Sequence, residues 1–248
     1  MKTVIITGGN RGIGLDITRT FVEKGYKVYV AARKQYDIKS LFGEKVEFFP
    51  IDVRNRSDHD SVVSEVIKNH GKLDCYINNA GFSEWRPIEK IDNDFLDNII
   101  DTNVKGVFWG CKSASVVMRS GASIINISSL AGKRGSSNNS AYCATKFAVN
   151  GITQSLAKEL GPRNIRVNAL CPVLIPTEGL LEALKSPFSP ANGEEPTKFI
   201  ENFAKGNAAF KRLPTGREVG LMCFSLAAED TSAITGQCIN VDCGVLPQ

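Results

Sequence analysis

The sequence predicts a doubly wound α/β domain: a parallel sheet of about seven strands with helices on both faces. Two observations predict it. Short, β-branched runs alternate with longer segments of helical period along all 248 residues. A glycine cluster separates the first strand from the first helix, where such folds turn sharply. Repeated strand–helix alternation requires parallel pairing through right-handed crossovers, which lay helices on both sides of one sheet.

The elements follow in order. Thr3–Thr7 is a short β-branched strand closed by Gly8-Gly9. Residues 12–24 form a helix, because Ile13, Ile17 and Phe21 recur at i, i+4 and Gly25 suits its C-terminal cap. Residues 27–31 and 46–49 are the second and third strands. Ser57 reads as the N-cap of a helix that carries Val62, Val63, Val66 and Ile67 and closes near Gly71. Residues 74–78 are the fourth strand, and a long helix runs over 104–118. Ser123–Ile127 is the fifth strand. Ser140–Leu160 is another long helix, stopped by Gly161-Pro162. Residues 166–171 form the sixth strand, 218–226 a helix, and Cys238–Val241 the last strand. No linker interrupts the chain, so residues 1–248 read as a single Rossmann-like domain. Residues 178–210 stand apart. Pro187, Pro190, Pro196 and the run Gly193-Glu194-Glu195 break their periodicity, which predicts a mobile substrate lid.

Composition narrows the function classes. Hydrophobic residues make up 42%, enough for a sizeable core. The net charge of +4 is scattered, too weak to argue for nucleic acid. The seven cysteines form no Cys-x-x-Cys pair and mostly fall in apolar runs, as free thiols in a reducing compartment would. His59 and His70 sit in a polar helical stretch, so neither a metal site nor a histidine-based triad is expected. The chain enters its first strand without a signal-peptide core, and no apolar run is long enough to span a membrane. A soluble, cytoplasmic protein is the expectation.

The chemistry-bearing motifs come next. Gly8, Asn10, Arg11, Gly12, Ile13 and Gly14 join strand to helix, where a pyrophosphate would meet free amides and a positive dipole end. Enzymes that use NAD tend to carry an acid beyond the second strand. Here that place reads Ala31-Ala32-Arg33-Lys34. Arg33, helped by Arg11, is suited to a 2′-phosphate, which favours NADP(H) over NAD. Tyr142 and Lys146, four apart on a helix, share one face. A phenol titrates near 10, and a neighbouring ammonium would bring it into range as a general acid or base. Ser129 ends the fifth strand and Asn78-Asn79-Ala80-Gly81 the fourth, on the rim where ligands lie.

Taken together, Thr7-Gly-x-x-x-Gly-x-Gly14, Asp52-Val53, Asn78-Asn-Ala-Gly81, Asn103, Ser129, Tyr142-x-x-x-Lys146 and Pro172-x-x-Ile175-x-Thr177 resemble the classical short-chain dehydrogenase/reductase family over essentially the whole chain. The resemblance implies roles. Tyr142 exchanges the proton, Ser129 positions the carbonyl oxygen, and Lys146 holds the nicotinamide ribose and lowers the pKa of Tyr142. Asn103 holds a water linking Lys146 to solvent. Asp52 and Val53 contact the adenine; Asn79, Ala80 and Gly81 line the adenosine side; Pro172, Val173, Ile175 and Thr177 meet the nicotinamide end. It also implies a homo-oligomer, tetramer or dimer, acting on a small-molecule carbonyl or alcohol. Four departures stand out: Val173 where glycine is usual, a short 33–52 connection, a lid after Thr177 longer than usual, and Cys243 within the usual Asp-Gly-Gly. The substrate expectations are a 3-oxoacyl thioester, with Arg119, Lys133 and Arg134 as a basic rim for an acidic carrier, or a sugar-like alcohol under the polar 186–198 stretch. A catalytically silent NADP-binding regulator is the third reading.

Overall fold

The computed structural model describes residues 1–34 and 38–247. Seven strands form its sheet: β1 (Thr3–Thr7), β2 (Lys27–Ala32), β3 (Val46–Pro50), β4 (Cys75–Asn78), β5 (Ser123–Ile127), β6 (Arg166–Pro172) and β7 (Cys238–Val241). All pairings are parallel, in the order β3-β2-β1-β4-β5-β6-β7. The direction of winding reverses between β1 and β4, which opens a crevice at the carboxyl ends of those strands.

Every residue of β1 is buried, as a parallel strand covered on both faces must be. Val4 and Ile6 point to one side, where α1 (Gly12–Glu23) and α9 (Gly216–Ala227) pack. Ile5 points to the other, towards α3 (Arg56–His70), α5 (Gly106–Val117) and α6 (Ser140–Leu160). Helices α1 and α9 approach closely because two glycines permit it. A methyl group at Gly216 would strike the Asp16 carboxylate, and one at Gly220 the Thr20 hydroxyl. Arg166, buried at the start of β6, donates to the Leu226 carbonyl at 2.6 Å and the Ala228 carbonyl at 3.0 Å. It thereby caps the C-terminus of α9, where carbonyls lack helical partners.

Several boundaries differ from the sequence expectation. Helix α3 begins at Arg56 with Asn55 as its cap, so Ser57 lies inside the first turn. The helix expected over 104–118 starts much earlier, as α4 (Asn93–Ile100), where the Asp92 carboxylate accepts from the Phe95 amide at 2.8 Å. A π-helical turn, Asp101–Lys105, joins it to α5. The 33–52 connection holds a short helix, α2 (Ile38–Phe42). The 178–210 stretch contains α7 (Glu178–Leu184) and α8 (Pro196–Asn207), which begin at Thr177 and Glu195 caps. Pro196 opens α8 instead of breaking it, as proline does in a first turn.

The two histidines of α3 face the sheet, despite their polar surroundings in sequence. His59 is fully buried and meets the Tyr76 hydroxyl at 2.7 Å; His70 meets the Tyr29 hydroxyl at 3.0 Å. All seven cysteines are free. Among the described residues, no helix is long and apolar enough to cross a membrane.

Cys243 sits in the left-handed region at φ 53°, beside Gly244 at φ 80°. A side chain there costs about 1–2 kcal/mol of local strain. Cys243→Gly is therefore expected to raise Tm by about 2–8 °C for a domain of this size, which thermal denaturation followed by circular dichroism will check.

Candidate active site

The predicted site residues cluster on the carboxyl rim of the sheet because each follows a strand or begins a helix there. Gly8–Gly14 follow β1, Arg33 follows β2 and Asp52-Val53 follow β3. Residues 79–81 follow β4, Ser129 follows β5, and residues 172–177 end β6 and lead into α7.

The glycine loop is shaped by close approaches. Gly8 has φ 64° and Gly12 φ 50°. A methyl at Gly14 would collide with the Gly8 carbonyl. The cap residue Arg11 is extended and offers no side-chain cap, so the first-turn amides of α1 remain open. Gly12 is exposed and faces Thr177: a methyl there would come within 3.6 Å of the Thr177 Cγ2. Open amides, a positive helix end and a narrow approach between two lips fit the pyrophosphate of a dinucleotide. Asn10 braces this loop, its amide committed to the Lys34 carbonyl at 3.0 Å. Arg11 and Arg33 are exposed, and neither has an ion-pair partner among the described residues.

At β3 the Asp52 carboxylate accepts from Arg54 Nε at 3.0 Å. This contact holds the Asp52 carboxyl below its usual range, and the charge of Arg33 adds to the effect. At β4 the Asn79 and Ala80 amides donate to the Thr7 hydroxyl at 2.9 and 3.0 Å, and Asn79 Nδ2 donates to the Thr7 carbonyl at 2.9 Å. The ends of β1 and β4 are thus stapled at the switch point. Thr7, which the motif contains but to which no role was given, is the hub of that staple.

Asn103 lies in the π-helical turn and is 1% exposed. Its Oδ1 accepts from the Phe82 amide at 3.0 Å; its Nδ2 donates to the Phe82 carbonyl at 2.8 Å and to Thr145 Oγ1 at 3.3 Å. These bonds tie the loop after β4 to α6 and leave one Oδ1 lone pair able to accept. π-helical turns recur at functional sites because they re-aim one residue. Gly81 leaves room for it, since a methyl there would lie 3.0 Å from Asn103 Oδ1 and 3.9 Å from Lys146 Nζ.

Helix α6 supplies Tyr142 and Lys146. The Tyr142 ring packs with Phe82, Phe95 and Ala141, and Lys146 Nζ lies 5.6 Å from its centroid. Burial pushes the Tyr142 phenol up to about 12, and the Ser129 hydroxyl opposes that shift. Burial brings Lys146 down to about 8. Its Nζ donates to the Ile127 carbonyl at 2.7 Å, leaving two further protons to donate. Ser129 caps a short turn, its Oγ accepting from the Ala131 amide at 3.1 Å. Arg119 does not join this rim. It lies just before β5, at the opposite, amino end of the sheet, because α5 runs antiparallel to the strands.

The 178–210 segment packs beside the loops that follow β4 and β6. Trp85, Leu184, Ala191, Ile200, Ala204 and Leu213 form a small core of their own, with Val173 packed against it. Asn138, in a left-handed conformation, accepts from the Arg86 amide at 2.7 Å and donates from Nδ2 to the Phe188 carbonyl at 3.1 Å. The acidic residues of the segment serve its own structure. Glu194 accepts from Asn202 at 2.8 Å, and Glu195 accepts from the Thr197 and Lys198 amides. Polarity in this stretch therefore gives no support to a hydroxylated substrate.

These features sit together on one rim of a doubly wound sheet, the place where such folds bind ligands. The short chain dehydrogenase family profile matches residues 2–185. The chain is 32% identical to the 3-oxoacyl-[acyl-carrier-protein] reductase FabG of Chlamydia muridarum, over 98% of this chain and 97% of that one. Its fold superposes on ligand-free aldohexose dehydrogenase of Thermoplasma acidophilum with a TM-score of 0.88 at 31% identity, covering 100% of this chain and 97% of that one. It superposes on ElxO with NADP bound with a TM-score of 0.85 at 30% identity, covering 100% and 99%. The chain belongs to the short-chain dehydrogenase/reductase family of oxidoreductases.

Gly132 was missed by motif reading, and no local signal marks it. A methyl there would lie 2.7 Å from the Lys146 carbonyl, 2.8 Å from Ser128 Oγ and 2.9 Å from Asn150 Nδ2. Gly132→Ala must push α6 away from the β5 end, which costs about 1–3 kcal/mol. Chemical denaturation is expected to show that loss, and unchanged stability would mean that α6 yields freely.

Proposed function

We propose that this chain is an NADP(H)-dependent carbonyl reductase or alcohol dehydrogenase with Tyr142 as its general acid and base. The observation that carries this reading is the shared neighbourhood of the Tyr142 phenol, the Ser129 hydroxyl and the buried Lys146 ammonium beside an open glycine loop.

Gly8, Gly12, Ile13 and Gly14 would hold the pyrophosphate, with Asn10 bracing their loop. Arg33 and Arg11 would hold the 2′-phosphate. Asp52 and Val53 would line the adenine, and Asn79, Ala80 and Gly81 the adenosine side. Lys146 would hold the nicotinamide ribose, and Pro172, Val173, Ile175 and Thr177 the nicotinamide end. When bound, NADP(H) supplies the hydride acceptor or donor. Ser129 Oγ orients the carbonyl oxygen, and Tyr142 gives that oxygen its proton in reduction or takes it back in oxidation. A phenol near 12 stays protonated at neutral pH, the form required for reduction. Asn103 keeps the loop after β4 against α6 and borders the proton path from Lys146.

The 178–210 segment acts as a lid within a single-domain enzyme. Its inward face is apolar, and this favours a carbonyl with an apolar substituent, for which a 3-oxoacyl thioester is the first assignment. A sugar alcohol is the second, favoured by the likeness to an aldohexose dehydrogenase. Phe108, Val116 and Phe147 are large apolar side chains exposed on α5 and α6, which supports a homo-oligomer built on these helices. Free cysteines throughout suit a cytoplasmic protein.

The test is NADPH consumption with an acetoacetyl thioester and an aldohexose panel in parallel. Tyr142→Phe is expected to lower turnover at least ~100-fold while NADPH binding, followed by fluorescence, persists; undiminished turnover would refute the role of Tyr142. Arg33→Asp should erase a preference for NADPH over NADH, and equal affinities in the parent would count against the 2′-phosphate reading. With Lys146 near 8, its ammonium is present below that pH and lost above it. The reductive rate should therefore fall as pH rises through about 8; a flat profile across that range argues against a charged Lys146 in the mechanism.

A further inference from the structure

We infer that Asp58 and His59 are positioning residues: adjacent side chains at the start of α3 that hold the Asp52 and Val53 backbone in the shape the adenosine half of the cofactor needs. The inference rests on the cofactor reading above.

The chain leaves β3 at Pro50 and turns through residues 51–55 before α3. Two backbone groups of that turn are held from below. The Asp52 amide donates to Asp58 Oδ2 at 2.7 Å. The Val53 carbonyl meets His59 Nε2 at 2.8 Å, and His59 Nδ1 meets the Tyr76 hydroxyl at 2.7 Å. A carbonyl can only accept, so Nε2 carries the proton and Nδ1 accepts from Tyr76. A neutral imidazole has one donor and one acceptor, and both are committed. His59 is completely buried, so no water can stand in for either bond. It therefore connects three elements at one point: β4 through Tyr76, α3 through its own backbone, and the 52–53 turn.

That turn has consequences on both sides. Its Asp52 side chain is oriented by Arg54, whose Nη1 also donates to Asn98 Oδ1 at 3.3 Å on α4. Val53 leans on Gly106, where a methyl would come within 3.1 Å of its Cγ2 and 3.3 Å of its carbonyl oxygen. Gly106 opens α5 directly after the turn that carries Asn103. Motion of the Val53 carbonyl would displace the adenosine subsite and press on the helix beside the catalytic residues. The direct grip is on the adenosine end, and among the described residues neither side chain hydrogen-bonds to the glycine loop, Tyr142 or Lys146.

The experiment separates the two halves of the cofactor. Calorimetry measures 2′,5′-ADP, which carries the adenosine and its 2′-phosphate, and reduced nicotinamide mononucleotide, which carries the other half. Asp58→Ala is expected to weaken 2′,5′-ADP about tenfold, the loss of one charge-assisted hydrogen bond, and to leave nicotinamide mononucleotide unchanged. Asp58→Asn, whose carbonyl oxygen can accept the same amide without the charge, is expected to recover most of that loss. His59→Phe, which keeps a ring but neither bond, should weaken 2′,5′-ADP further. Asp58 is only partly buried, so its two variants decide the matter even where His59→Phe does not fold. Parent-like affinity in Asp58→Ala, or equal loss for both ligands alongside a fall in Tm, would overturn the inference. A parent protein that binds neither 2′,5′-ADP nor NADPH overturns the cofactor reading, and the positioning role falls with it.

Discussion

The architecture of the site depends on the close contact between α6 and the carboxyl end of β5. Lys146 reaches across it to the Ile127 carbonyl, and Ser128 Oγ reaches back to the Lys146 carbonyl at 3.2 Å. The Asn150 amide donates to the Gly132 carbonyl at 2.9 Å, one turn further on. These bonds lie in a buried layer, where each is costly to leave unmade. They fix the start of α6 against the strand end and so decide where the Tyr142 phenol stands relative to Ser129. The same desolvation that makes the contact rigid brings Lys146 down to about 8 and lifts Tyr142 to about 12. Rigidity and altered acidity have one cause.

A second set of constraints meets the first at the switch point. Thr7 staples β1 to β4, Asn103 ties the loop after β4 to α6, and Gly81 lets the two approach. A buried chain of amides extends it across the sheet. Asn78 Nδ2 donates to Asn126 Oδ1 at 2.9 Å, and Asn126 Nδ2 to Thr153 Oγ1 at 2.9 Å. Among the described residues Asn78 Oδ1 has no hydrogen-bond partner, and it packs on Gly110, where any side chain would collide with it. The polar residues of the rim are thus a braced framework that orients a few reactive groups.

Most of the strand and helix order could be read from periodicity, because a core covered on both faces leaves apolar runs of distinct period. The motif residues were legible for a similar reason: Gly14 sits at a backbone approach that no side chain tolerates, and Gly81 lies tight against the Asn103 side chain. What failed was context carried from elsewhere in the fold. The start of α4 at Asn93 was missed because its apolar face is completed by Phe82 and Tyr142, distant in sequence. His59 stands in a polar stretch of sequence, yet it points into the sheet. The 186–198 stretch was read as polar and acidic, although its acids cap and brace its own helices and its apolar residues turn inward.

The sequence by itself determined the fold class, the family and which candidate side chains share a face, because spacing along a strand or helix sets that face. Tertiary structure alone decided how those groups are tuned. Lys146 and Tyr142 are four residues apart in any helix, yet their acidities follow from what buries them. The commitment of Asn103 to Phe82, the grip of Asp58 and His59 on the 52–53 turn, and the need for glycine at 132 all involve partners from separate elements. Such contacts depend on how strands and helices pack in three dimensions, and no local pattern of residues encodes that packing.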